Sequence, residues 1–341
     1  MKTTTAVAIS GGVDSLMAAH LLKNQGHRVI GLHFITGYER QAAPIESVAD
    51  QLGIEIHLLN LRSEFSTAVV DHFIRTYREG KTPNPCLVCN PVIKFGHLLE
   101  AARNLGARRL ATGHYARLRS DGDGTVHLLR GADAVKDQSY FLAFLDQRRL
   151  SRACFPLGDY RKSEVKAMAA AEGYRPAVTS ESQDVCFIKA GSYSGFIERL
   201  ATDLPEAGDI VDRQGRVLGR HQGLHRYTVG QRRGLNCPAA EPYYVLRLDT
   251  GNNRLVVGFK QETFSRQCRV SQVNWIQQPP RMPLQAHTRL RYRHKGAPST
   301  IEQGRRGQWI VRFDEPQAAI TPGQGAVFYR NDEVIGGGII Q

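Results

Sequence analysis

The chain has 341 residues, 41% of them apolar and 23% charged. At about 100–200 residues per domain, that length suggests two or three domains with a real core, and the composition excludes wholesale disorder. The apolar runs fall far short of the ~18–20 residues of a membrane span, and the N-terminus (Met-Lys-Thr-Thr-Thr-Ala-Val-Ala-Ile-Ser) lacks a long apolar segment with a cleavage site, so a soluble, cytoplasmic protein without a membrane partner is expected. The formal charge is +13. It is uneven: residues 206–341 hold 20 basic and 11 acidic side chains, against 25 and 21 in the first 205. A basic C-terminal portion suits a polyanion such as nucleic acid.

In chain order, residues 5–9 form a short apolar run, followed by a Gly-Gly turn and a segment 14–24 with Leu16, Ala19 and Leu22 at helical spacing. Strand-like 28–34, helical 45–52, strand-like 54–59 and helical 64–78 follow, then a helix over 93–105 and a strand over 108–112. Strands alternating with helices at this spacing predict an α/β domain, a doubly wound parallel sheet, over residues 1–203. Such sheets bind ligands beyond the C-terminal ends of their strands. After Ile197 the rhythm changes. Residues 204–240 read as a small central domain built on a hairpin that turns at Arg213-Gln-Gly215, and residues 236–242 as a second boundary. The short alternating runs 244–248, 254–259, 288–294, 309–313 and 326–329 predict a C-terminal antiparallel β-barrel over 241–341.

Ser10-Gly-Gly-Val-Asp-Ser15 lies between a predicted strand and a predicted helix. A glycine turn at a helix N-terminus brings backbone N–H groups to an anion, and Ser10 and Ser15 add hydroxyls. The loop lacks the Lys-Ser or Lys-Thr of a Walker A motif and the G-x-G-x-x-G of a dinucleotide fold. A plain Gly-Gly turn with Asp14 as N-cap is the bland alternative. The six cysteines are Cys86, Cys89, Cys154, Cys186, Cys237 and Cys268. In a reducing compartment an even count does not imply a disulfide framework. Thr82-Pro-Asn-Pro-Cys-Leu-Val-Cys-Asn90 reads as a proline-stiffened loop that presents Cys86 and Cys89, and Cys186 lies in Ser182-Gln-Asp-Val-Cys-Phe-Ile188. Zinc on Cys86 and Cys89 with His221 and His225 is disfavoured, because over a hundred residues separate the pairs. Cys154, Cys237 and Cys268 have no partner spacing.

The hexapeptide 10–15 resembles the signature of the PP-loop ATP pyrophosphatases, in which the loop grips the pyrophosphate of ATP while an acceptor oxygen attacks the α-phosphate. The whole chain resembles the tRNA-specific 2-thiouridylases. The strings that carry this include Thr-Gly-His-Tyr-Ala-Arg at 112–117, Lys-Asp-Gln-Ser-Tyr-Phe-Leu at 136–142 and Tyr-Thr-Val-Gly-Gln-Arg-Arg-Gly-Leu at 227–235. The resemblance implies ATP and Mg²⁺ as cofactors. It also implies tRNA as substrate, and either a sulfur-donor protein (a persulfide carrier or cysteine desulfurase) or inorganic sulfide as partner. It implies ATP contacts at Ala8, Ile9, Ser10, Gly11, Gly12, Val13, Asp14, Ser15, Phe34 and Gly113. The target base would lie near Asn84, Pro85 and Cys86. The segment Lys136, Asp137 and Gln138 and the pair Arg291 and Tyr292 match tRNA-contact positions. Cys89 would be the catalytic nucleophile and Cys186 the persulfide carrier, both with depressed pKa values near basic residues.

Three departures stand out. Many family members have Asp where this chain has Cys86, the segment 35–44 is short, and 236–241 lacks the usual glycine-rich loop. The Cys86 change opens a second sulfur route, in which Cys86, Cys89 and Cys186 hold a [4Fe–4S] cluster. A PP-loop amidating ligase would leave the Cys pair idle, and a non-catalytic RNA-binding protein would not need an intact loop at 10–15.

Overall fold

The computed structural model describes residues 3–39, 45–178, 185–188, 191–279, 281–304 and 307–341. Seven strands lie in the first part of the chain: β1 (Thr4–Ala8), β2 (Arg28–Ile35), β3 (Ile56–Asn60), β4 (Arg109–Ala111), β5 (Ala116–Ser120), β6 (Val126–Arg130) and β7 (Ala153–Cys154). Five of them form the expected parallel sheet, in the order β3-β2-β1-β4-β7. β1 is central, and Thr5, Ala6 and Val7 are fully buried, as a strand covered on both faces requires. The helix Val13–Asn24 buries Leu16, Met17, Ala19 and Leu22 against it, and Ile45–Leu52 adds Ile45, Val48 and Leu52.

The segment read as a loop at 82–90 is a helix from Cys86 onward. Cys86–Cys89 forms its first turn, Asn90–Leu98 continues with wider turns, and Leu99–Asn104 completes it. Pro85, with φ −64°, is already set for a helix start, and Asn84 Oδ1 accepts the Cys86 N–H at 3.2 Å. Pro91 brings no N–H into this helix, and the turns around it open to i→i+5 bonding.

The strands β8 (Gly208–Val211), β9 (Val217–His221), β10 (Tyr244–Asp249) and β11 (Arg254–Gly258) form a separate sheet in the order β10-β11-β8-β9. The hairpin at 213–215 is present: Asp212 Oδ1 accepts from Gln214 and Arg216 N–H at 2.9 Å each, and Gly215 has φ +85°. The runs 244–248 and 254–259, assigned from the sequence to the barrel, belong here instead. β11 pairs in parallel with β8, and Val245, Leu255 and Val257 share a core with Ile210 and Leu224. The change of unit therefore falls after β11 and not at residue 240.

The C-terminal barrel consists of β12 (Phe264–Trp275), β13 (Leu284–Arg289), β14 (Ala297–Gln303), β15 (Trp309–Ala318), β16 (Gly325–Arg330) and β17 (Glu333–Ile340). Their order is β12-β15-β14-β13-β16-β17, and β12–β17 pairing closes it. The hairpin β5–β6 of the first unit adds to β17, with Glu333 opposite Leu129 and Val334 opposite Leu128. One apolar cluster accordingly runs from Ala6 and Leu110 through Tyr140 and Leu142 to Val327 and Val334. The strand expected over 288–294 stops at Arg289, so Arg291 and Tyr292 stand on the loop before β14. Among the described residues no helix is long and apolar enough to cross a membrane.

Candidate active site

The loop after β1 curls around one hydroxyl. Ser15 Oγ accepts the Ser10 N–H at 3.2 Å, lies 3.3 Å from Ser10 Oγ and donates to Gly12 O at 2.9 Å. Gly11 has φ +82°, and its carbonyl accepts from Val178 N at 3.0 Å. Gly12 is the N-cap of the helix Val13–Asn24 without a side-chain cap, so Asp14 is not the cap. Asp14 Oδ1 instead accepts from Tyr115 Oη at 2.7 Å, and both its oxygens accept from Lys162 Nζ at 2.6 Å. Gly113 is required by close approach: a Cβ there would lie 2.8 Å from Asp14 Cβ. Ala8 ends β1 and Ile9 follows it, with Ile9 O 2.8 Å from His33 Nδ1, while half-buried Phe34 sits near the end of β2. Backbone N–H groups at a helix start, two hydroxyls and one ammonium are the kinds of group that can hold a polyphosphate. Lys162 and Tyr115 were not singled out from the sequence. Tyr115 falls within the 112–117 string, whereas Lys162 lies 148 residues from Asp14 with no local signal.

The thiols Cys86, Cys89 and Cys186 act on one another electrostatically, with Lys94 beside them. Cys86 is half-buried, Cys89 buried and Cys186 exposed. Of the 182–188 string, only 185–188 lie within the described residues. Burial pushes the Cys86 thiol up to about 11; the charge of Cys186 adds to this, and Lys94 opposes it. Burial pushes Cys89 up to about 12 against Lys94, with Cys186 and Cys86 adding to the rise. The depressed value expected for Cys89 is thus overturned, because the Lys94 ammonium does not offset the desolvation of its buried sulfur. Lys94 Nζ is 3.3 Å from His114 Nε2, and His114 Nδ1 is 2.6 Å from Thr112 Oγ1. Burial, aided by Lys94, holds the His114 pKa well below the usual histidine range.

All three units hold the turn that carries these thiols. Thr82 N donates to Pro322 O at 2.8 Å, Gln324 Nε2 donates to Thr82 O at 2.9 Å and Pro83 O at 3.2 Å, and Thr82 Oγ1 donates to Thr228 Oγ1 at 3.1 Å. Among the described residues, no three His, Cys, Asp or Glu side chains converge closely enough to hold a single metal ion. His221 is bonded to Gly223 N and Asn253 O, and His225 Nε2 to Glu198 Oε1 at 2.9 Å.

The candidate RNA-contact segments differ in exposure. Lys136 is half-exposed and Arg291 exposed. Asp137, by contrast, is only 3% exposed; its Oδ1 accepts from Gly131 N at 3.1 Å and Ser139 N at 3.0 Å, and its Oδ2 from Arg289 Nη1 at 2.9 Å. It faces the protein, where the sequence reading expected it to face RNA. Gln138 Oε1 accepts from Tyr115 N at 3.0 Å, tying this segment to the side chain that holds Asp14. Tyr292 stacks on Phe141 with centroids 4.5 Å apart.

A parallel sheet with this loop at its C-terminal edge and a thiol turn clamped by a barrel defines a PP-loop, HUP-type enzyme with appended β domains. Residues 3–190 match the family model described as tRNA methyl transferase HUP domain, residues 194–259 its PRC-barrel domain, and residues 265–340 the aminomethyltransferase beta-barrel domain. The chain is 49% identical to the tRNA-specific 2-thiouridylase MnmA of Desulfosudis oleivorans, over 98% of this chain and 94% of that one. It is 46% identical to the protein of the same name from Trichlorobacter lovleyi, over 98% and 97%. The chain belongs to the tRNA-specific 2-thiouridylase family, a family of tRNA-modifying sulfurtransferases.

Proposed function

We propose that this enzyme activates the C2 carbonyl of the wobble uridine of tRNA with ATP and replaces its oxygen with sulfur. The observation that carries the reading is a two-residue link at the end of β4: Gly113 abuts Asp14 of the phosphate loop, and His114 meets Lys94 of the thiol turn. This link supports a reading in which phosphate chemistry and sulfur chemistry share one site. Ala8, Ile9, Ser10, Gly11, Gly12, Val13, Asp14, Ser15, Phe34 and Gly113 form the ATP site. Mg²⁺ bound together with ATP in this cradle would neutralise charge on the phosphates.

The uridine C2 oxygen attacks the α-phosphorus, pyrophosphate leaves, and the oxygen becomes part of AMP, a good leaving group. The base must leave the anticodon stack to reach Asn84, Pro85 and Cys86. Exposed Cys186, as thiolate, attacks the outer, sulfane sulfur of a donor protein's persulfide, so that Cys186 becomes the persulfide and the donor thiolate leaves. Cys89, as thiolate, attacks the inner sulfur of that persulfide. A Cys89–Cys186 disulfide forms and hydrosulfide departs; the hydrosulfide adds to C2 and expels AMP. A thiol reductant then reopens the disulfide. Lys94 is the ammonium placed to stabilise the Cys89 thiolate, which burial otherwise disfavours. Lys136 and Arg291 face outward for phosphate contacts, and Gln138, Tyr292 and Asp137 shape that surface. Cys89→Ser tests the reading: it should bind ATP normally and form no 2-thiouridine, and thiolation by this variant would overturn the role given to Cys89.

A further inference from the structure

A buried arginine joins the two candidate RNA-contact segments. Arg289 ends β13, is 8% exposed, and reaches across the junction between barrel and HUP unit. Its Nη1 donates to Asp137 Oδ2 at 2.9 Å, and its Nη2 donates to the carbonyl of Tyr292. The guanidinium lies 5.8 Å from the ring centre of Tyr140, 5.9 Å from that of Tyr292 and 5.7 Å from that of Tyr329. One planar fork therefore fixes residue 137 of one segment and residue 292 of the other, which a single-point ammonium would not do.

The connection continues toward the thiols. Tyr292 stacks on Phe141, the Phe141 carbonyl accepts from Asn90 Nδ2 at 3.0 Å, and Asn90 follows Cys89. On the other side, Tyr140 Oη donates to Gly325 O at 3.0 Å, and a Cβ at Gly325 would lie 2.6 Å from Leu87 in the Cys86–Cys89 turn. The barrel loop, the 136–138 segment and the Cys89 helix thus share one packed frame.

We propose that Arg289 is a positioning residue for tRNA: it holds the Arg291–Tyr292 loop and the Lys136–Gln138 segment in a single docking surface, in register with Cys89. This rests on the tRNA reading above. Arg289 touches neither the nucleotide loop nor a thiol, so its effect belongs to tRNA engagement.

The test is steady-state thiolation with varied tRNA at saturating ATP, beside ATP affinity and thermal unfolding. Arg289→Lys keeps a cation for Asp137 but loses the fork to the Tyr292 carbonyl. It should raise the tRNA KM about tenfold or more, leave kcat within about threefold, and leave ATP affinity and melting near wild type. Asp137→Asn keeps acceptors for Gly131 and Ser139 N–H but removes the charge facing Arg289, and should show the same split to a smaller degree. A folded Arg289→Lys enzyme with wild-type KM, or one losing kcat at unchanged KM, overturns the proposal; so does an Asp137→Asn enzyme with wild-type KM if the lysine variant fails to fold. Wild-type enzyme that shows no saturable, salt-dependent tRNA binding would instead overturn the tRNA reading itself.

Discussion

Replacing Asp14 by alanine strands the Lys162 ammonium, whose side chain is 11% exposed, beside a Tyr115 hydroxyl without its acceptor. Removing one partner of a buried ion pair costs about 3–5 kcal/mol. Asp14 is 33% exposed, so water recovers part of that, and about 2–3 kcal/mol of destabilisation is expected. At roughly 2–4 °C per kcal/mol, melting of the HUP unit should fall by about 4–12 °C. Lys162→Ala should destabilise similarly, and the double variant should cost clearly less than the two single changes combined, because the removed charges no longer strand each other. Pyrophosphate release in the presence of tRNA should fall about 100-fold or more in Asp14→Ala, as expected for losing a group that orders a phosphate cradle. Additive stability losses would refute the pairing. Wild-type pyrophosphate release would refute the assignment of residues 10–15 to the nucleotide.

Cys186 should be alkylated before Cys86 and Cys89 in the free enzyme at neutral pH, because burial keeps the latter two protonated; faster labelling of Cys89, read by peptide mass mapping, would contradict this. Gly325→Ala would place a methyl 2.6 Å from Leu87 and 3.0 Å from Tyr140 Oη, costing about 1–3 kcal/mol and lowering thiolation at unchanged ATP affinity. His127 joins the β5–β6 hairpin to the barrel through Glu333 at 2.7 Å, and Asp121 in the turn of the same hairpin holds its other nitrogen at 2.8 Å. Desolvation lowers its pKa, but hydrogen bonds and charge from Glu333 and Asp121 outweigh that and raise it. The junction's stabilisation is therefore complete below the ordinary histidine value and lost as pH rises through the raised one; urea melts from pH 5.5 to 8.5 should show this slope, and Glu333→Gln should flatten it. Cys86→Ser should retain thiolation by the persulfide route, whereas loss of both bound iron and activity in anaerobically purified protein would favour a cluster.

What was legible in the sequence was local. The Gly-Gly turn between an apolar run and a helical period placed residues 10–15 correctly at the edge of a parallel sheet, because that signal lies within fifteen residues. The partners of the same loop were not legible, since Lys162 and Val178 arrive from distant parts of the chain. Prolines 83 and 85 suggested a loop, yet Pro85 begins a helix, and its direction is set by barrel residues 322–325 far along the chain. Alternation identified β10 and β11 as strands but not their sheet, because β11 is chosen by β8 across more than forty residues. The thiol environment was misjudged for a related reason: net positive charge is visible in composition, whereas burial of Cys89 among Phe65, Phe73, Ile93 and Phe187 is not.

The central claim is tested most directly by nucleoside mass spectrometry of unmodified tRNA after incubation with anaerobically purified enzyme, ATP, Mg²⁺ and a persulfide-charged sulfur donor. The account predicts 2-thiouridine at the wobble position, formed in step with AMP and pyrophosphate. AMP release without 2-thiouridine would contradict the sulfur-transfer half of the account, and the absence of both would contradict the whole.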